Sequence, residues 1–82
     1  MVTFTDRARE ALLTSLAAAR RFDPEARLRV ERHEGRVRAV FVNEDQPDDL
    51  LVDLDGAVIA VEPGIEGTID AGDHQELRVI AR

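Results

Sequence analysis

Val2 and Phe4 alternate with Thr3 and Thr5, and this period of two predicts a short first strand. Thr5 then stands where a helix N-cap belongs, and Asp6 places a carboxylate in the first turn, where the helix dipole favours it. From there Ala8, Ala11, Leu12, Ser15, Leu16 and Ala19 recur three and four positions apart, with Leu13 widening the stripe. That spacing predicts one amphipathic helix from Asp6, with Arg20 and Arg21 in its last turn. Asp23-Pro24 stops it, because proline cannot continue the ladder and the residue before it avoids the α region. Phe22 is expected to fold back onto the core.

After Ala26 the period changes to two again. Leu28 and Val30 face one way and Arg27, Arg29 and Glu31 the other, with Glu34-Gly35 as the turn of a hairpin. A two-residue turn sets Val30 against Ala39, Leu28 against Phe41 and Arg32 against Val37, while Glu31 meets Arg38 on the opposite face. A slip of one residue would break both the apolar and the charged matches, so the pattern fixes the register. A polar, acidic loop holding Pro47 follows. Asp55-Gly56 then closes a second hairpin that sets Leu54 against Ala57, Val52 against Ile59 and Leu50 against Val61. Leu51, Val58 and Ala60 on its other face predict cover on both sides over much of its length. Pro63-Gly64 breaks the strand, Ile65 to Gly67 is too short for more than a turn or a single helical turn before Ile69, Gly72-Asp73 turns again, and Leu77 and Val79 alternate with Glu76 and Arg78 in a last strand, with Ile80 as a contact for the second face. The scheme is βα followed by a run of antiparallel strands: an α+β class of antiparallel or mixed strands with one N-terminal helix, in one domain spanning residues 1–82.

Length limits what such a chain can do. Its 82 residues support one modest core, burying roughly 60–65% of the unfolded surface. With no cysteine, disulfides, thiolate zinc sites, cysteine-ligated clusters and cysteine nucleophiles are excluded. The apolar runs are far shorter than a membrane span, and no basic, apolar leader opens the sequence, so no membrane association and a cytoplasmic location are expected. A net charge of −6 disfavours nucleic acid, where affinity comes from neutralising phosphates. All 11 basic residues are arginine, which suits bidentate ion pairs but assigns no function.

Candidate chemistry is sparse. His33 beside Glu34 offers an imidazole and a carboxylate to a metal, and His74 within Asp73-His74-Gln75-Glu76 would join them if both turns lay at one end of the sheet. The competing reading of each is an exposed turn. Glu44, Asp45, Asp48 and Asp49 form an acidic run without the ligand alternation or central glycine of a calcium loop, and read as a solvated segment. Thr14 and Ser15 have no base at helical spacing, and no phosphate-binding glycine motif or catalytic carboxylate pair stands out. No enzymatic activity and no cofactor are expected.

Short segments along nearly the whole chain resemble the HesB/IscA-like family of iron–sulfur carriers: 2–8 (Val-Thr-Phe-Thr-Asp-Arg-Ala), 26–30 (Ala-Arg-Leu-Arg-Val), 48–53, 55–58 with 61–63, and 68–72. The resemblance implies a β-sandwich-like fold of two small sheets with one helix. Carriers of that family hold iron through one cysteine in the loop after the second strand and a Cys-x-Cys pair near the C-terminus. Here the loop is His33-Glu34-Gly35 and thiols are absent throughout. The expectation is therefore a cysteine-free relative: a non-catalytic accessory or interaction protein of iron–sulfur assembly, contacting that machinery without binding a cluster. The alternatives are a small metal- or ligand-binding protein using His33, Glu34 and His74, and a self-associating module in which the Leu50 to Val61 hairpin pairs with a second copy as a homodimer.

Overall fold

A computed structural model describes residues 2–44, 46–74 and 76–80. The elements run β1 (Val2–Phe4), α1 (Asp6–Arg20), β2 (Arg27–His33), β3 (Arg36–Val42), β4 (Leu50–Leu54), β5 (Ala57–Val61), β6 (Gly67–Ala71) and β7 (Leu77–Ile80). They form an α+β domain with one N-terminal helix and two mixed sheets, a three-stranded one ordered β1-β6-β7 and a four-stranded one ordered β3-β2-β5-β4.

The helix begins where the sequence predicts. Thr5 is its N-cap, with the hydroxyl accepting the Ala8 N–H at 3.2 Å. Ala8, Leu12 and Leu16 form the buried stripe, and α1 packs on β6, β1 and β2. Regular helix ends at Arg20, slightly before Asp23-Pro24, because the Arg21 and Phe22 N–H groups turn to carbonyls three residues back and tighten the last turn. Phe22 does not return to the core. It is 91% exposed, and Ala26 takes the buried place instead, drawn in by Arg20 Nε donating to its carbonyl at 3.1 Å and by its own N–H bonding the Asp23 carbonyl.

Both hairpin registers follow the alternation. Leu28 pairs with Phe41, Val30 with Ala39, Glu31 with Arg38 and Arg32 with Val37; Leu50 pairs with Val61, Val52 with Ile59 and Leu54 with Ala57. Each turn has two residues at positive φ, Glu34 (52°) with Gly35 (79°) and Asp55 (52°) with Gly56 (98°), the primed geometry that matches strand twist. Leu28, Val30, Ile59 and Val61 supply the inner face of the larger sheet, and Ile69, Ala71 and Leu77 that of the smaller.

Two parts differ from the expected run of antiparallel strands. β2 pairs with β5 in parallel, and β1 pairs with β6 in parallel, so the hairpins are joined side by side by long connections. The second hairpin is also less covered than expected. β4 is an edge strand with no strand beyond it among the described residues, leaving Leu50 and Leu51 about half exposed and Val58 partly so; on the outer face of this hairpin only Ala60 is closed over. Ile80 likewise remains partly exposed.

Candidate functional site

The outer face of the larger sheet carries a chain of ion pairs. Arg29 on β2 reaches across β5 to Asp49, just before β4, in a two-pronged contact: Nε to Oδ2 at 2.7 Å and Nη2 to Oδ1 at 3.1 Å. The pair bridges over Ala60, Arg29's neighbour on β5, which explains why that alanine is buried on an otherwise open face. Arg29 Nη1 also bonds Glu31 at 2.8 Å, and Glu31 accepts from Arg38 Nε at 2.8 Å. The Asp49 side chain is only 1% exposed, so it belongs to the sheet and not to the solvated acidic segment expected for that run; Asp45 lies outside the described residues.

These contacts set the protonation chemistry. The Arg29 hydrogen bonds hold Asp49 below the usual carboxylate range, and Arg38 does the same for Glu31. Glu62 is lowered chiefly by the Arg32 N–H, and Asp70 by the Thr5 hydroxyl and then Arg78. Asp49 in turn raises Arg29. Every resolved carboxylate shift runs away from neutrality, the opposite of what a general acid needs at pH 7. Each of these carboxylates is more acidic in the folded chain than in the unfolded one. Their stabilisation is therefore complete above about pH 5 and is lost as pH falls through the lower folded values. Urea midpoints are expected to stay level from pH 7 to pH 5 and to drop steeply below pH 4; a midpoint unchanged at pH 3 would contradict the ion-pair assignment.

His33 ends β2 on this same outer face, with Nε2 3.8 Å from Glu34 Oε2, and both side chains are largely exposed. His74 lies in the turn between β6 and β7, where its N–H donates to Glu76 Oε2 at 3.0 Å. Among the described residues, no three His, Cys, Asp or Glu side chains converge on a point that could hold a metal ion. Glu76 instead closes its own turn: its carbonyl accepts the Gly72 N–H at 2.8 Å, and its carboxylate packs where a side chain at Gly72 would sit.

Two adjoining concavities lie elsewhere, along the seam where β3 and β7, each the edge of its sheet, run side by side without pairing. A cleft of about 570 Å³ is lined by Arg32, Arg36 and Arg78 together with the apolar Val37, Ile65 and Leu77. A second, of about 310 Å³, lies between α1 and β3, with Leu12, Leu28, Ala39 and Phe41 in its wall. Val37, Glu76 and Leu77 line both, so the two adjoin. Arg32 is held by Glu62 and the Pro63 carbonyl, each at 3.4 Å, and Arg78 by Asp70 at 3.1 Å. Arg36 is exposed and has no ion-pair partner among the described residues. None of this seam was singled out by sequence, since its walls come from four separated segments.

Fold and site together define a small α+β domain with an arginine-rimmed apolar seam between two sheet edges. No protein-family model matches the chain, and no curated protein matches its sequence. Among the described residues no helix is long and apolar enough to cross a membrane.

Proposed function

We propose that the chain is a non-catalytic interaction module, related to HesB/IscA-like carriers, that serves iron–sulfur assembly through protein contacts and holds no cluster itself. The observation that carries this reading is an open, adjoining pair of clefts along an unpaired strand edge in a chain without a single thiol. Cluster carriage in that family depends on thiolate ligands, so a surviving role has to run through contact surface. The kinship is supported by where the resembling segments fall: Thr5-Asp6 at the start of α1, Leu28-Arg29-Val30 inside β2, Asp55-Gly56 at the β4–β5 turn, and Thr68 to Gly72 along β6. One helix with two small sheets is also the architecture that the resemblance implies.

Purified chain incubated anaerobically with ferrous iron and sulfide, then desalted, is expected to emerge colourless and without bound iron. A visible chromophore that survives desalting with stoichiometric iron and sulfide would overturn the proposal.

A further inference from the structure

We infer that the free edge of β3 at Ala39–Phe41 receives an extended, acidic and aliphatic segment of a partner protein, which joins the larger sheet as an added strand. This rests on the interaction reading above and names the chemistry of the partner.

Backbone geometry comes first. In a hairpin with a two-residue turn, the residues flanking the turn exchange both hydrogen bonds, and the pattern alternates from there. With His33 opposite Arg36 and Glu31 opposite Arg38, the even-numbered residues of β3 point their N–H and C=O groups at β2, and Val37, Ala39 and Phe41 point theirs away. Among the described residues β3 pairs with β2 alone, and Ala39 and Phe41 are exposed, so their outward backbone groups have no strand partner. An edge of this kind is a template for another strand unless something covers it.

Side-chain alternation then specifies what fits. A segment laid on this edge puts every second side chain over the apolar cleft walled by Leu12, Leu28, Phe41 and Leu77. The intervening side chains emerge on the outer face, where β3 presents Arg36 and Arg38 and no acidic residue. In a molecule of net charge −6, this strand carries two cations, of which Arg38 is held by Glu31 and Arg36 has no ion-pair partner among the described residues; the adjoining cleft adds Arg32 and Arg78, held by Glu62 and Asp70, beside Glu66 and Glu76. Carboxylates alternating with aliphatic groups satisfy both faces, and the remaining acidic surface repels such a segment from other places. The chain's own β4 edge has similar chemistry, with Asp49 and Asp53 around Leu50 and Leu51. Pairing β3 with β4 of a second copy, however, joins unlike edges, a heterologous contact that builds a ring or a filament and not a two-fold dimer.

The test titrates the isotope-labelled full chain with the peptide acetyl-Leu-Asp-Val-Asp-Leu-Asp-Val-Asp-amide and with its counterpart carrying Lys at each Asp. The expected result is amide shifts and slowed hydrogen exchange concentrated at Ala39 and Phe41 for the acidic peptide only. Arg36→Glu, at an exposed site without an ion-pair partner among the described residues, should weaken binding about tenfold. Ala39→Pro removes an outward N–H that an edge strand can lose without unfolding, and should abolish binding. Equal binding of the lysine peptide, shifts located away from β3, or sedimentation showing the edge already filled by a second copy would each overturn the inference. The outcomes separate cleanly: a coloured iron–sulfide product removes the interaction reading whatever the peptide does, whereas a silent peptide with a colourless protein removes the β3 site alone.

Discussion

Replacing Ile69 by alanine is expected to cost about 3–4 kcal/mol, the largest effect of any single truncation considered for this chain. Ile69 is fully buried at the centre of the smaller sheet, between Phe4 on β1 and Val79 on β7, and β6 is the strand on which α1 packs. Its carbonyl also takes the Thr5 N–H at 2.9 Å, so the same residue holds the entrance to the helix. Removing its outer carbons leaves a hole that helix and sheet must both relax to fill. A domain of this length has a total stability on the order of 4–12 kcal/mol, so the variant should sit close to its unfolding threshold. Urea denaturation should show a much lower midpoint with an unchanged slope. A loss under about 1 kcal/mol would mean that α1 does not rest on β6.

Asp49→Ala comes next, at about 2 kcal/mol, even though the residue lies in a segment that reads as surface loop. The substitution strips both prongs from Arg29, whose own side chain is mostly covered, and leaves a guanidinium over Ala60 with Glu31 as its remaining described partner. The figure is below that of a deeply enclosed pair because this network lies on the face of a sheet and water can reach its rim. Arg29→Met combined with Asp49→Leu should recover most of the loss, since a bridging pair can be replaced by apolar side chains of similar reach. If Asp49→Ala melts like the parent protein, or the double variant is worse than the single one, the network is ornamental.

What was legible in the sequence had local causes. The two hairpin registers follow from strict alternation meeting two-residue turns, and the helix start from Thr5-Asp6 ahead of a stripe at helical spacing. Phe22 misled because size suggested burial, while chain direction after Arg20 hands that place to Ala26. The parallel joins of β1 to β6 and β2 to β5 left no mark, because strands that pair across long connections share no turn and no spacing. Asp49 shows what the right question would have been: Arg29, mid-strand on the outward face of β2, needs a carboxylate within reach, and the acidic residue just before the next strand is a natural supplier. His33, Glu34 and His74 were conspicuous as residue types, but the seam is lined by Gly35 and Glu76 from the same turns and not by these three side chains. The seam itself exists only once two sheet edges have been brought together.

The parallel join of β1 to β6 also orders events in time. Thr3 and Thr68 share a hydrogen bond across 65 positions, whereas each hairpin is closed by a turn of two. Hairpins of that kind zip in microseconds, while the entropy of closing a loop rises with its length. Among the described residues β1 has no neighbour in its sheet except β6. As the chain leaves the ribosome, β1 is made long before β6 and waits for it before it can be seated.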